Sequence, residues 1–448
     1  MIVMKFGGTS VTRQQSVAAI NFLVKRDLAL QPILVVSALS GTTDLLIKLT
    51  QVNDLTSQSE LIELIKVKHW TWIEENCSAD QSLMDQAYDL VTQHLLELSN
   101  LAKSSDRNSN YLNWHDRVAS FGEVISSQLI SLLLVQNGIK AQAVSATQCI
   151  ITNDNFGSAD FLDQLTIQAT NTTLLPLINQ GIVPVITGFL GATVDGRTTI
   201  LGRGGSDFSA AIIGHALKAK EIQIWTDVNG VYSADPRVIN QAKLIPQLSY
   251  QEAAELAMFG AKVLHPRTIQ PAVRSGIPVR VLNTFNLDNQ GTLIAHNTCT
   301  NSWVKAITWK PKVPLINIYS ADMFLSKGFL EKIFAILAHN NISVNMLSAS
   351  EVSVSITLDN IGNLEQALLE LNQIATADYI EGFGTISLVG GHIMSRPQIM
   401  QDLFNLFEHN NLPVQMLSYS ASNINISMIV ASEGINQVIP LVHEKFIV

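Results

Sequence analysis

Apolar residues follow one rhythm up to about residue 300 and another beyond it. In the first part, short unbroken apolar runs alternate with stretches of helical period. Ile2–Phe6 is such a run and leads straight into Gly7-Gly8-Thr9-Ser10. A helical pattern follows to Arg26, and Gln31-Pro32 breaks it ahead of the run Ile33–Ser37. Strands that are apolar throughout, each followed by a loop and a helix, predict a parallel sheet covered on both faces. The pattern goes on to predict helices within Asp54–Lys103, over Asp116–Asn137 with Gly138 behind it, and ahead of Gly181. Strands follow at Ile182–Thr187 and Glu221–Thr226, with a helix at Phe208–Leu217 between them. Ser249 and Glu252 have the spacing of a capping box, and Pro278–Asn283 reads as the last strand of this first domain. His69, Trp70 and Trp72 read as packing residues.

From about Thr300 charged residues thin out, the elements shorten, and the sequence repeats itself. Strand, helix, strand, strand, helix, strand over residues 315–382 form one βαββαβ unit, and a second copy starts at Thr385. The stretch HNNISVNMLSAS in the first answers HNNLPVQMLSYS in the second. The second copy reaches Val448 without its sixth strand, while a spare strand, Val304–Trp309, precedes the first copy. An unpaired sheet edge is a liability, so the first unit is expected to be inserted in the second, with residues 304–309 completing the second sheet.

Ligands of open α/β sheets sit off the carboxyl ends of strands, and Lys5, Gly7, Gly8, Ser37 and Thr43 lie at such ends. A second candidate is Gly188–Asp207, GFLGATVDGRTTILGRGGSD, with six glycines ahead of an apolar helix. Glycines let backbone N–H groups approach a ligand, a helix start favours anions, and Arg203 adds a fork-shaped cation. Ser206 is the expected N-cap. The plain alternative is a glycine-rich hairpin and cap with no ligand.

Composition narrows the field. With 47% hydrophobic and 15% charged residues the chain is globular, and 448 residues suffice for two or three domains. A net charge of −9 and a pI near 5.6 argue against nucleic acid or an anionic membrane as partner. The longest apolar run, Leu129–Val135, is short of a membrane span, and the start lacks a signal-peptide core. Cys77, Cys149 and Cys299 are odd in number and widely spaced, which suits reduced thiols in a cytoplasmic protein.

Four motifs occur in order: KFGGTS at Lys5–Ser10, GRGGSD at Gly202–Asp207, WTDVNGVYSADPR at Trp225–Arg237, and FGAKVLHP at Phe259–Pro266. Together they closely resemble aspartate kinase, the aspartokinases of the amino-acid kinase family. The C-terminal repeat resembles the tandem ACT domains of those enzymes. No Walker A sequence and no strand-borne G-x-G-x-x-G is present. The resemblance implies a three-layer αβα kinase domain over 1–296 with a mostly parallel central sheet. It also implies ferredoxin-like ACT domains over 313–383 and 384–448. It implies ATP-dependent phosphorylation of the side-chain carboxylate of L-aspartate, the first step toward lysine, threonine and methionine, with Mg2+ arriving with ATP.

By the same resemblance Lys5, Asp207 and Lys262 are catalytic, Lys5 and Lys262 contacting phosphate and Asp207 orienting them. Ser37, Thr43, Glu123, Arg203, Gly204 and Ser206 bind the substrate, Glu123 through its ammonium and Arg203 and Thr43 through its carboxylate. Gly7, Gly8, Thr226, Asp227, Tyr232 and Arg237 join the two lysines at the nucleotide. Met323, Ser326, Phe329, Leu330, Val344, Asn345, Ser350 and Glu351 correspond to the lysine-binding segments of lysine-inhibited aspartokinases, which commonly carry aspartate where this chain has Asn345. The resemblance implies a homodimer through the ACT domains, with a tetramer as an open alternative, in the cytoplasm. Two other readings stand beside it: a kinase for another acidic amino acid, and a catalytically silent ACT-type amino-acid sensor.

Overall fold

The computed structural model describes all residues but Ser105, 259–265, 297–301, Leu325, His392, 420–422 and Val448. It divides into two compact units. The first holds Met1–Val231, Leu244–Tyr250 and Val263–Thr298; the second holds Tyr232–Lys243, Gln251–Lys262 and Cys299–Val448.

The first unit is built on an eight-stranded sheet. Its strands are β1 (Ile2–Phe6), β2 (Pro32–Val36), β3 (Ala141–Val144), β5 (Val183–Thr187), β8 (Ile222–Thr226), β9 (Gln247–Ser249), β10 (Val279–Asn283) and β11 (Thr292–Ala295). A small sheet holds β4 (Ile151–Thr152), β6 (Leu190–Thr193) and β7 (Thr198–Ile200). The large sheet runs β3-β5-β2-β1-β8-β10-β11-β9 and is parallel from β3 to β10. The antiparallel β10–β11 pair extends it past Pro278–Asn283, the last strand that the sequence pattern predicts there. Every residue of β1, β2 and β5 is buried, as strands covered on both faces must be.

Helices Leu55–Cys77 and Gln81–Ala102 begin at Asp54 and Asp80, whose carboxylates accept from the Ser57 and Leu83 N–H groups. Trp72 Nε1 donates to Val11 O at 2.7 Å, and burial pushes the His69 imidazole down to about 4, so both are packing groups. Helix Tyr111–Gln136 is long and apolar enough to cross a membrane by length and composition, yet 72% of its most apolar stretch is buried in the protein. Gly138 follows it at φ +81, the left-handed turn that glycine accepts. Cys77 and Cys149 are buried and free.

The second unit carries the repeat. One sheet runs β14-β15-β13-β16 and the other β12-β17-β19-β18. Here β12 is Ala306–Lys310, β13 Leu315–Tyr319, β14 Val344–Ala349, β15 Ser353–Leu358, β16 Thr376–Ile380, β17 Phe383–Val389, β18 Val414–Tyr419 and β19 Asn425–Ala431. The spare strand β12 pairs antiparallel with β17, Ala306 opposite Val389, at the edge that the second copy would otherwise leave open. The sequence echo reaches the backbone. Asn341 and Asn411 both turn left-handed after their helices, and β14 and β18 both shift register between the valine and the following methionine. Leu315, Met346, Met416 and Ile429 form a small apolar cluster shared by the two sheets.

Candidate functional site

Four neighbouring parallel strands deliver their carboxyl ends to one edge of the large sheet. The Gly7 N–H donates to Trp225 O, the Ser37 N–H to Phe6 O, and the Gly188 N–H to Val36 O, so the chain leaves β1, β2, β5 and β8 in register. A side chain would have little room there. A Cβ at Gly8 would sit 3.1 Å from Ala38 O, and one at Gly188 would sit 2.6 Å from Ser206 Oγ and 2.9 Å from Val36 O.

Gly188–Asp207 is a hairpin of β6 and β7 followed by helix Gly205–Leu217. The N-cap is Gly204, at φ +72, not Ser206, which lies inside the first turn. A left-handed entry turn takes no Cβ cheaply, so the capping position falls to glycine. Phe189 at φ 71 is a bulky residue in a left-handed conformation. It is held from both sides: its N–H donates to Ser209 Oγ at 2.9 Å, and its carbonyl accepts from the Leu201 N–H.

Lys5, the fourth residue of β1, points its ammonium at Asp207 Oδ1, 2.6 Å away, in the first turn of that helix. Both side chains are mostly buried, at 11% and 16% exposure, so the pair is shielded but reachable. Glu123 comes from helix Tyr111–Gln136. Gly122 beside it lets that helix press against the loop after β2, where a Cβ would lie 2.6 Å from Ala38 Cβ. The Glu123 carboxyl is buried, and its Oε2 lacks a hydrogen-bond partner among the described residues. Desolvation raises its pKa from 4.5 to about 8, against weaker opposing pulls from backbone N–H groups, Ala38's first, and from the charge of Lys5. Arg203 is exposed and makes no ion pair among the described residues. Thr43, in the first turn of helix Thr42–Gln51, and Ser37 are half-buried.

The structure thus gathers Lys5, Gly7, Gly8, Ser37, Glu123 and Asp207, with Arg203, Gly204 and Ser206 on the helix entry that Asp207 belongs to. Thr226 ends β8, and its hydroxyl reaches Asp227 Oδ1 at 3.3 Å. Tyr232 and Arg237 lie in the second unit, and Arg237 makes a bidentate pair with Asp235 at 2.6 and 3.0 Å. Lys262, Phe259 and His265 lie outside the described residues.

Two buried anchors escaped the sequence reading. Asp116 Oδ2 accepts from the Gly157 and Ile200 N–H groups at 2.9 and 3.0 Å, and Asn113 Nδ2 donates to Thr198 O at 3.0 Å. Both sit on the face of the long helix that pins β7, two residues before Gly202. Nothing local marks an acid in a helix as the partner of amides 41 and 84 residues away.

In the second unit Met323, Ser326, Phe329, Leu330, Ser350 and Glu351 line one cavity of about 360 Å³, joined by Phe324 and Gly328. Val344 and Asn345 are outside that lining; Asn345 Nδ2 donates to Asp359 Oδ1 at 3.4 Å. Glu351 is exposed and makes no ion pair among the described residues, so the cavity has an uncommitted carboxylate.

Residues 1–283 match the model of the amino acid kinase family, and residues 386–446 match that of the ACT domain. The class defined by fold and site is therefore a kinase of small molecules built without a P-loop. Lysine-sensitive aspartokinase 3 of Escherichia coli (strain K12) is 34% identical over 99% of both chains. Chloroplastic aspartokinase 2 of Arabidopsis thaliana is 34% identical over 99% of this chain and 84% of its own. The crystal structure of E. coli aspartokinase III in complex with lysine and aspartate matches with a TM-score of 0.83 at 33% identity, over 100% of this chain and 99% of that one. The same enzyme in complex with aspartate and ADP gives 0.81 at 33% identity, over 100% of both chains. The chain belongs to the amino acid kinase family and, within it, to the aspartokinases.

Proposed function

We propose that this protein transfers the γ-phosphoryl group of ATP to the side-chain carboxylate of L-aspartate, giving 4-phospho-L-aspartate and ADP. The observation that carries the reading is the pair of Lys5 on β1 with Asp207 in the first turn of helix Gly205–Leu217, close enough to the buried Glu123 for the charge of Lys5 to act on it. A carboxylate is already ionised at neutral pH and needs no general base. The barrier is the approach of one anion to another, so catalysis rests on positioning and positive charge. Lys5 neutralises the transferring phosphoryl group, held by Asp207 in a site where few other cations compete. Lys262 is the second phosphate contact. Glu123 takes the substrate ammonium, while Arg203, Thr43, Ser37, Gly204 and Ser206 hold its carboxylate and fix its pose.

Thr226, Asp227, Tyr232 and Arg237, with Gly7 and Gly8, hold the nucleotide. Mg2+ comes with ATP, with phosphate and water supplying most of its ligands. The domain limits are 1–296, 313–383 and 384–448, the last completed by 304–309.

Lysine is the proposed effector, in the cavity lined by Met323, Ser326, Phe329, Leu330, Ser350 and Glu351, and Val344 and Asn345 of β14, outside that lining, complete the proposed set. Glu351 suits an ammonium. The E. coli enzyme is described in a T-state with lysine and an R-state with ADP, which supports a two-state equilibrium that lysine shifts through differential affinity. The protein is a cytoplasmic homodimer through its ACT domains.

An ATP-dependent hydroxamate assay with aspartate and glutamate side by side, with and without lysine, tests the proposal. Aspartate is expected to give hydroxamate, glutamate almost none, and lysine to suppress the signal. A product with glutamate alone, or with neither, overturns it.

A further inference from the structure

The stretch Tyr232–Lys243 lies inside the amino acid kinase match in sequence, yet it packs with the ACT repeats. Its apex is in solvent: Pro236, Arg237 and Val238 are exposed. Its neck is buried, with Ser233, Ala234 and Ile239 at 1%, 5% and 6% exposure. Ala234 and Ile239 belong to the core of the second ACT repeat, with Ile307, Ile435, Val438 and Val442.

Every polar group of Ser233 is engaged. Its N–H donates to Lys243 O at 2.8 Å, and its Oγ accepts from the Lys243 N–H at 2.9 Å, closing the neck on itself. Its carbonyl accepts from the Ile307 N–H at 2.7 Å, on the free edge of β12. Its Oγ also meets His443 Nε2 at 2.9 Å. His443 is 4% exposed and sits on the C-terminal helix Ser432–Ile447. From the same helix the Ile447 carbonyl accepts from Lys243 Nζ at 3.3 Å. A serine whose N–H, C=O and hydroxyl are all committed in a dry setting has one orientation.

We infer that His443 is a positioning residue for the nucleotide: acting through Ser233, it fixes the neck of the Tyr232–Arg237 loop. Nucleotide affinity thereby depends on a side chain of the last helix of the second ACT repeat. This rests on the nucleotide role proposed for Tyr232 and Arg237. It goes beyond that role because it makes the C-terminal helix part of the nucleotide site's support. A loop whose binding-competent arrangement is only partly populated binds its ligand more weakly by that fraction. Loss of the His443–Ser233 bond lowers the fraction without touching the groups that hold aspartate.

The test is calorimetric titration of Mg·ADP into the full-length protein, which needs no phosphoryl acceptor, together with KM values for ATP and aspartate. His443→Ala is expected to weaken Mg·ADP about fivefold, the scale of one lost buried hydrogen bond, and to raise KM for ATP alike. KM for aspartate and kcat at saturation stay within about twofold of wild type. His443→Gln, which keeps a group able to bond Ser233, restores most of the affinity, and Ser233→Ala reproduces the loss.

Equal losses for ATP and aspartate, or a fall in kcat alone, would show a general structural role and overturn the inference. Unchanged Mg·ADP affinity in His443→Ala would do so too. Tyr232→Ala and Arg237→Ala controls that bind Mg·ADP normally would remove its premise. A wild type that binds Mg·ADP but phosphorylates another acceptor would defeat the proposed substrate and leave this inference standing.

Discussion

Replacing Glu123 by glutamine should make the protein more stable and a poorer binder of aspartate. Burial holds the Glu123 carboxyl at about 8, against an ordinary 4.5. Between those values the folded protein keeps a proton that the unfolded chain has released, so stability falls as pH rises through that window. At about 1.4 kcal/mol per pH unit, the deficit at pH 7 is roughly 3 kcal/mol, and it levels off at roughly 5 kcal/mol above pH 8. Glutamine has nearly the same shape and never ionises, so the variant escapes the deficit. Urea unfolding at several pH values is the assay. The variant is expected to be more stable by about 3 kcal/mol at pH 7 and to converge with wild type near pH 4.5.

On the proposed role of Glu123, substrate offsets the wild-type cost, because an ammonium entering the pocket restores the charge. Aspartate binding at pH 7 should therefore release close to one proton, seen as a dependence of binding heat on buffer ionisation enthalpy. The glutamine variant should lose at least about 30-fold in aspartate affinity, since a charge-assisted bond becomes a neutral one. Equal stability of the two proteins at pH 7, with parallel pH profiles, would refute the reasoning.

Lys5→Ala and Asp207→Ala are each expected to lower kcat by about 10²–10³ with the circular dichroism spectrum unchanged; near-normal turnover in either would remove the pair from the chemistry. Asn345→Asp would face Asp359, now 3.4 Å from the amide, with a second carboxylate. A cationic effector relieves that repulsion, so the lysine concentration for half-inhibition should drop about tenfold, and a weakened response would contradict the assignment of lysine. Lys305→Ala removes the ammonium that pairs with the buried Glu252, 2.7 Å away at 4% and 2% exposure. It should cost about 3 kcal/mol by urea unfolding, and a loss under about 1 kcal/mol would show that the site admits water.

What could be read in the sequence followed how local the cause was. Fully apolar strands such as Val183–Thr187 name a buried parallel sheet by themselves, and the repeated HNN stretches announced two copies of one unit, whose shared register shift only the backbone shows. The spare strand ahead of the first copy was readable as the one that pairs at the second sheet's edge. Strands β9 and β11, three and four residues long, gave no period to detect. The Ser206 cap failed because the entry turn is left-handed, which only Gly204 satisfies there cheaply. The site's glycines and Lys5 were legible as strand-end residues. Asp116, the Lys305–Glu252 pair and the Ser233–His443 bond were not, since each joins segments whose meeting depends on the finished fold.

Aspartate carrying ¹⁸O in both side-chain oxygens, incubated with ATP and hydroxylamine, tests the central claim most directly. Hydroxylamine attacks the carbonyl carbon of the acyl phosphate, so the phosphate leaves with the oxygen that attacked the γ-phosphorus. One ¹⁸O per phosphate released, matched by aspartyl hydroxamate, is the predicted result. Unlabelled phosphate would mean that water, not the aspartate carboxylate, accepts the phosphoryl group.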